Sequence, residues 1–163
     1  MDSKGLICDE MLKKLTRWLR IAGYDVLSPS AKDDRELARL AMDTDRILIT
    51  RDKDLSNMRG PITLKIISDD IDEQLEEIGS NLASSINRSF SRCPLCNGRL
   101  VPVQRNDLPD RCSKKIPPKV LHHFRRFYIC TECGKIYWRG SHWNNILKRL
   151  KDHGFEPILP GRP

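Results

Sequence analysis

Hydrophobic positions in the first half of the chain alternate between short apolar runs and segments with helical spacing. Consecutive apolar residues predict buried strands, and apolar residues three and four positions apart predict helices. The predicted strands are 5–8, 25–27, 46–50 and 63–67, and the predicted helices are 9–22, one that begins at 33 or 34, a short helix or turn at 52–58, and 72–78. Apolar strands that alternate with helices are typical of a parallel sheet with helices on both faces. The pattern predicts an α/β domain over residues 1–83.

Four cysteines in the second half form two matching Cys-x-x-Cys pairs, Cys93 with Cys96 and Cys130 with Cys133. Glycine or Asn-Gly follows each pair, which is typical of a tight turn that directs two thiolates to one metal ion. Four thiolates complete a tetrahedral Zn²⁺ shell and leave no open position for a substrate. The expected zinc site is therefore structural. Disulfides and buried free thiols are the alternatives.

Short strands surround these two turns. They are predicted at 99–103, 127–129 and 135–138, and a helix begins at 140–142 and ends near 151. Residues 104–126 predict a long basic loop without regular structure between the turns, and such loops are usually functional or partly mobile. The Ser-, Asn- and Arg-rich segment 79–92 predicts a linker, placed at 84–92, before a zinc ribbon at 93–145 and a helix end with a tail at 146–163.

The start of the chain and its cysteines bear on the compartment. No signal peptide is visible, and no segment approaches the ~20 apolar residues of a membrane span. We therefore expect a reduced, cytoplasmic protein without membrane attachment. Cys8 ends an apolar run and is expected in the core, whereas Cys112 lies in a polar, basic segment and has no predicted role.

Charge is distributed unevenly between the two halves. Residues 1–83 carry 13 Lys+Arg against 17 Asp+Glu, a balance of −4, and residues 84–163 carry 16 against 5, a balance of +11. A basic module beside an acidic one indicates a polyanionic partner, with nucleic acid as the leading candidate. The alternative is that the basic residues only keep the protein soluble.

Acidic residues follow the predicted strands of the first half. Asp9 follows the first strand, Asp34 begins the helix after the second, Asp52 and Asp54 follow the third, and Asp69 and Asp70 follow the fourth. Ligands of open parallel sheets bind at this edge. Several carboxylates there would repel each other unless they bound a cation such as Mg²⁺ or Mn²⁺, which suits attack on a phosphodiester. The alternative is that each aspartate caps a helix.

Basic and aromatic residues provide candidate RNA contacts. Lys13, Arg17 and Arg20 recur at helical spacing beside Asp9, where they would hold phosphates or form an ordinary solvated face. The candidates elsewhere are Arg51, and Lys114, Lys115, Lys119, Arg125 and Arg126 of the basic loop. Trp138 and Trp143 lie beyond the last cysteine, and exposed aromatics there would stack on unpaired bases. Trp138 and Tyr137 fit the small ribbon core equally well.

Six segments along the chain form a set of family motifs. They are 8–12, 17–26, 34–37, 46–52, 92–97 and 130–142. With these motifs the chain resembles the Mut-seven C-terminal ribonuclease domain, a branch of the PIN-like nucleases. The resemblance implies a metal-dependent endoribonuclease in which Asp9, Asp34 and Asp52 are catalytic and bind the metal. It implies Asp54 as a fourth acidic residue, a position for which Asp70 competes.

The sequence as a whole predicts an enzyme that cleaves or processes RNA with Mg²⁺ or Mn²⁺, and that uses its zinc ribbon to bind single-stranded or structured non-coding RNA. The alternative function is a non-catalytic adaptor that binds RNA or the ribosome and retains the PIN-like fold. DNA is a less expected partner because the segment between the cysteine turns has no recognisable base-reading helix.

Overall fold

The computed structural model describes residues 4–31, 33–82, 88–89, 91–155 and 157–158. Strands and helices alternate along the first half. The elements are β1 (Leu6–Cys8), α1 (Lys13–Ile21), β2 (Val26–Leu27), α2 (Asp34–Asp43), β3 (Ile47–Thr50), α3 (Lys53–Ser56), β4 (Thr63–Lys65) and α4 (Ile71–Leu82), with a 3₁₀ turn at Glu10–Leu12. All strands and helices predicted for this half are present, and α4 is longer than the predicted range 72–78.

The four strands form one parallel sheet in the order β2-β1-β3-β4. β1 lies between β2 and β3, with Cys8 opposite Ile49, and Thr50 of β3 pairs with Lys65 of β4. Because the strands run in the same direction, the segments that follow β1 and β3 leave the sheet at the same edge. The predicted α/β class and its parallel sheet are confirmed.

Each face of the sheet packs against its own helices, because successive strand residues point to opposite faces. Leu6 and Cys8 belong to a buried cluster with residues of α1 and α4. Ile7 and Leu48 pack on the other face with residues of α2 and α3. The sheet is therefore covered on both sides, as its fully apolar strands predicted.

The second half is built around a three-stranded antiparallel sheet in the order β6-β7-β8. Its elements are β5 (Arg88–Ser89), β6 (Leu100–Gln104), α5 (Asp110–Ser113), α6 (Pro118–His123), β7 (Arg126–Cys130), β8 (Ile136–Tyr137), α7 (His142–Asp152) and β9 (Pro157–Ile158). We call residues 91–141 the ribbon. Leu100 of β6 lies opposite Cys130 of β7, so the sheet brings the two cysteine turns to one end.

Residues 104–126 differ from their prediction as a loop without regular structure. They contain a 3₁₀ turn at Arg105–Asp107 and the short helices α5 and α6. Cys112 of α5 and Ile116 are buried. The prediction was wrong because helices of four and six residues are too short to show a periodic pattern in the sequence.

Helix α7 packs on the α1 and α4 face of the parallel sheet, although it follows the ribbon in sequence. Leu150 is fully buried in the cluster on that face, and Trp143 packs against it. The guanidinium carbon of Arg149 lies 4.9 Å from the centre of the Trp18 ring, and its Nε donates to Asp72 at 2.6 Å. The α/β half is therefore completed by a helix that the sequence placed at the end of the ribbon.

The predicted linker also needs correction at its start. Residues 79–82 belong to α4, and Gly79 is buried there. A Cβ atom at Gly79 would clash with the carbonyl oxygen of His153, so only glycine allows α4 this close to the end of α7. Within 84–92, β5 pairs in parallel with β9, whereas residues 83–87 and 90 lie outside the described residues.

Candidate functional site

The four predicted zinc ligands lie together. The Sγ atoms of Cys93, Cys96, Cys130 and Cys133 are all within 4.8 Å of one another. Cys93 Sγ is 3.8 Å from Cys133 Sγ, and Cys96 Sγ is 3.3 Å from Cys130 Sγ. Tetrahedral zinc with bonds of about 2.3 Å separates its sulfurs by about 3.8 Å. The cluster therefore fits Zn²⁺, and its four sulfurs can hold the ion.

The two cysteine turns have matching backbone geometry. Asn97 has a φ angle of 68° and Gly134 has a φ angle of 67°, both in the left-handed region. The Asn97 N–H donates to the Cys93 carbonyl at 2.9 Å, and the Gly134 N–H donates to the Cys130 carbonyl at 3.1 Å. Asparagine and glycine tolerate this conformation better than other residues. The residue after each second cysteine thus permits the turn that gathers the thiolates.

Tyr137 supports the zinc cluster through its hydroxyl group, which lies 3.1 Å from Cys93 Sγ. Burial acts to raise the pKa of the Cys93 thiol. Hydrogen bonds from Tyr137 and from the backbone N–H groups of Cys96 and Leu95 outweigh burial and hold that pKa at about 7. Because the thiolate is the form that binds zinc, these donors favour metal binding at Cys93.

The first cysteine turn is joined to the α/β sheet at β2. Asn97 donates to Asp25 at 2.6 Å and accepts from the Val26 N–H at 3.0 Å. Arg20 of α1 donates to the carbonyl oxygens of Val26 and Leu95, each at 2.8 Å. These contacts link the zinc cluster to the sheet through buried polar groups.

Arg20 is therefore not available as the phosphate contact that its spacing predicted. Its side chain is 7% exposed, and its donors bind backbone carbonyl oxygens on both sides of the contact. Lys13, Lys14 and Arg17 remain on the exposed face of α1. Lys13 also pairs with Glu10 at 2.6 Å. We call Lys13, Lys14 and Arg17 the α1 basic stripe.

Asp9 and Asp52 lie at the edge where β1 and β3 end, and Thr50 links them. The Thr50 hydroxyl donates to Asp9 Oδ2 at 2.9 Å and accepts from the Asp52 N–H at 3.0 Å. Asp9 Oδ1 also caps the 3₁₀ turn at Met11, and Asp52 Oδ1 caps α3 at Leu55. Helix capping thus occupies one oxygen of each carboxylate and leaves acceptor positions for another ligand.

Asp33 and Asp34 have different roles at the start of α2. Asp33 Oδ1 accepts from the Glu36 N–H at 2.8 Å and caps the helix. Desolvation, followed by the negative charges of Asp52 and Asp9, raises the pKa of the Asp34 carboxyl. The negative charges of Asp52 and Asp9 thus disfavour the ionised form of Asp34.

The two candidates for a fourth acidic residue, Asp54 and Asp70, have different surroundings. Asp54 contributes to the raised pKa of Asp34. Asp70 instead caps α4 by accepting from the Asp72 N–H at 2.8 Å. Asp69 forms an ion pair with Arg51, another predicted RNA contact. We call Asp9, Asp34, Asp52 and Asp54 the acidic edge.

The acidic edge is looser than the zinc cluster. Among the described residues, the four cysteines form the one group of three or more potential ligand residues whose donor atoms all lie within 4.8 Å of one another. Carboxylate oxygens are the ligands that Mg²⁺ and Mn²⁺ prefer, so the donor chemistry of the edge fits these ions. Because the carboxylate oxygens of the acidic edge do not all lie within 4.8 Å of one another, these side chains must turn toward a shared ion to bind it.

The other predicted RNA contacts lie mostly on the surface of the ribbon. Lys114, Lys115, Lys119 and Arg125 are exposed, and Arg126 in β7 is half-buried. One contributor to the acidic edge was not predicted from the sequence. Thr50 ends a strand and links Asp9 to Asp52 through its hydroxyl group. It belongs to no spacing pattern that would indicate such a role.

Comparisons with known proteins find a relative of the chain and a matching family. Within the described part of the chain, no helix combines the length and the apolar character needed to cross a membrane. The chain is similar to the human protein named exonuclease mut-7 homolog, with 21% identity over 223 aligned residues that cover 90% of this chain and 26% of the relative. It thus spans about a quarter of that protein's length. No solved structure matches significantly.

The family model of the Mut7-C RNAse domain matches residues 4–150, a range that includes the acidic edge and the zinc cluster. The chain therefore belongs to the Mut7-C RNAse domain family.

Proposed function

We propose that the chain is a metal-dependent endoribonuclease with a PIN-like α/β domain and a zinc ribbon that binds RNA. The observation that carries the proposal is the link between Asp9 and Asp52 through Thr50 at the end of two neighbouring parallel strands. Membership of a ribonuclease-domain family supports RNA as the substrate class.

In this proposal Asp9, Asp34 and Asp52 hold one divalent ion, and Asp54 assists. When bound, Mg²⁺ or Mn²⁺ would polarise the phosphodiester and lower the pKa of water. The raised pKa of Asp34 supports this assignment, because crowded carboxylates favour either a proton or a cation between them. Thr50 fixes the orientation of Asp9 through its hydroxyl group and is a positioning residue.

The basic residues bind the substrate backbone in this proposal. Lys13 and Arg17 of the α1 basic stripe lie shortly after Asp9 in sequence and hold phosphates on either side of the scissile bond. The basic residues of segment 104–126 in the ribbon supply most of the affinity for RNA, which makes binding depend strongly on salt concentration. They are Lys114, Lys115, Lys119, Arg125 and Arg126. None of the six cysteines forms a disulfide with another described residue, and four of them gather in the zinc cluster, which supports a reducing compartment such as the cytoplasm.

The direct test is cleavage of labelled single-stranded RNA in Mn²⁺ by the wild-type protein and by Asp9→Asn. We expect the substitution to lower the rate by about 100-fold or more, since it removes several kcal/mol of transition-state stabilisation. Asp43→Asn is the matched control because Asp43 is an exposed aspartate at the end of α2, away from the acidic edge. Equal rates for wild type and Asp9→Asn would remove the catalytic assignment.

A non-catalytic RNA-binding adaptor is the second candidate function. It is favoured by one observation, the spread of the acidic side chains beyond 4.8 Å among the described residues. The adaptor predicts tight, salt-sensitive RNA binding with no cleavage in Mn²⁺ or Mg²⁺. Competition between matched single-stranded RNA and DNA tests which nucleic acid is bound, and equal affinity would argue against RNA selectivity.

A further inference from the structure

We propose that the ribbon holds one unpaired nucleotide in an aromatic pocket between β7, β8 and α7, with the phosphate of that nucleotide on Arg139 and Tyr128. This inference rests on the proposed RNA substrate and names a subsite for it. The pocket contains about 410 Å³ of empty space, including the part open to solvent. Trp138 and Trp143 contribute to its mostly apolar lining.

Three polar atoms at this pocket lack hydrogen-bond partners. The Tyr128 hydroxyl and the Nε and Nη2 atoms of Arg139 are buried, and none has a partner among the described residues. Buried polar groups in proteins are nearly always hydrogen-bonded. All three atoms can donate a hydrogen bond. They are therefore candidate donors to a group that accepts several hydrogen bonds.

The charge of Arg139 favours an anion as that group. Its guanidinium carbon lies 5.4 Å from the centre of the Tyr128 ring and 5.2 Å from the Trp143 ring. No ion pair joins it to a carboxylate in the described parts of the chain. The Nε and Nη2 atoms lie on one side of the guanidinium, where two parallel N–H groups match two oxygens of a phosphate.

The aromatic lining favours a nucleobase beside that phosphate. Trp138 lines the pocket, and unpaired bases stack on such rings with little dependence on base identity. A neighbouring pocket shares Tyr128 and Arg139 and continues to Arg125 and Arg126. The phosphates of adjacent nucleotides therefore have basic residues within the same surface, as a single-stranded RNA requires.

Binding should be accompanied by a local rearrangement. The three donors have almost no exposed surface, so a phosphate reaches them only when neighbouring side chains move. Trp138 and Trp143 line the pocket and are intrinsic fluorescent probes of such a movement. We expect RNA binding to change the tryptophan fluorescence of the wild-type protein.

The test measures binding of the zinc-loaded chain to a short labelled oligouridylate. Arg139→Met removes the charge and the donors but keeps a long side chain between the rings. Tyr128→Phe removes only the hydroxyl. We expect about 10-fold weaker binding for the first and about threefold for the second. Arg99→Met is the matched control, since Arg99 is an exposed arginine of the ribbon outside both pockets, and it should change affinity less than about twofold.

Changes in the RNA test the same site without altering the protein. A series of oligonucleotides is used, each of which lacks the base at a different position. One member of the series should bind the wild-type protein about 10-fold more weakly than the intact oligonucleotide, and this loss of affinity should be smaller for Arg139→Met. Oligonucleotides with and without a 5′-phosphate distinguish the two sources of the phosphate. A loss of wild-type affinity without it assigns a terminal phosphate, and equal affinity assigns an internal phosphodiester.

Equal affinities for Arg139→Met and Arg99→Met would overturn the proposal, and so would equal affinity for every base-deleted oligonucleotide. If Arg139→Met lost zinc or had a lower melting temperature than the wild type, the RNA affinity of Tyr128→Phe would be the deciding measurement. An unchanged RNA affinity of Tyr128→Phe would then count against the pocket. Cleavage by the wild type and by Asp9→Asn is measured separately. A failed pocket therefore leaves the nuclease proposal intact, and a failed nuclease with an intact pocket leaves an RNA-binding protein.

Discussion

The α/β half and the ribbon are stabilised by different means. The parallel sheet buries an apolar cluster on each face, and one cluster includes residues of α7. The ribbon has short strands and few buried apolar side chains, of which Phe127 is the largest, around four clustered cysteines. A module of this size buries too little apolar surface to fold on that basis alone. We therefore expect the sheet to depend on apolar packing and the ribbon to depend on zinc held by its four cysteines.

Removal of zinc should separate the two halves most strongly. Structural zinc contributes about 10 kcal/mol or more to the folding of small modules. We therefore expect Cys130→Ser, or a chelator, to abolish hydrogen-exchange protection in β6 and β7 while β1 and β3 keep most of theirs. Residue-resolved hydrogen exchange measures both halves in one sample. Cys112→Ala is the control, because this cysteine lies outside the zinc cluster. Retained protection in β6 and β7 would show that the ribbon folds without its metal.

Truncation of Leu150 should affect the opposite half. This side chain of α7 is fully buried in the cluster that covers one face of the parallel sheet. Leu150→Ala should lower the free energy of unfolding by about 2–5 kcal/mol, measured by chemical denaturation. Lys148→Ala, an exposed position on the same helix, should change it by less than about 0.5 kcal/mol. A small effect at Leu150 would mean that α7 belongs to the ribbon after all.

The parallel sheet could be predicted because the pattern that indicates each strand lies within the strand's own residues. Three consecutive apolar residues, Ile47, Leu48 and Ile49, form most of β3, and such a run indicates a strand buried on both faces. The destination of α7 was not predictable in this way. Apolar spacing in a helix shows that one face is buried but does not identify the element that covers it. Trp143 and Leu150 therefore had no visible partner until the fold was known.

The zinc cluster was predicted more completely than the other sites, because its spacing pattern is local in sequence whereas other partners are distant in sequence. Duplicated Cys-x-x-Cys spacing specifies a zinc cluster on its own, so all four ligands were predicted. Arg20 was predicted as an RNA contact because it shares helical spacing with Lys13 and Arg17. Its hydrogen bond to the Leu95 carbonyl, 75 residues away in sequence, was not visible from that spacing. Asp33 and Asp34 could not be distinguished, since only the backbone direction at the start of α2 decides which one caps the helix.

Arg20 is also the residue with which the connection between the two halves can be weakened. It donates hydrogen bonds to both sides of the contact, and hydrogen bonds of a charged donor contribute about 1.5–3 kcal/mol each. Arg20→Met should therefore lower the free energy of unfolding by about 2–3 kcal/mol. Arg17→Met, three residues earlier on the exposed face of α1, is the matched control and should have little effect. If both variants had equal stability, the contact would be incidental to the fold.

Replacement of Tyr137 should produce the smallest change, a loss of zinc affinity confined to the ribbon. Its hydroxyl is the side-chain donor to Cys93 Sγ, at 3.1 Å. Tyr137→Phe keeps the ring and removes this bond, so it should weaken zinc binding by about 10-fold, as measured by competition with a chromophoric chelator. Tyr128→Phe is the control, because that hydroxyl has no hydrogen-bond partner among the described residues. A selective loss for Tyr137→Phe would show that the ribbon tunes its metal through a single hydroxyl, whereas equal losses would assign the effect to packing in the small sheet.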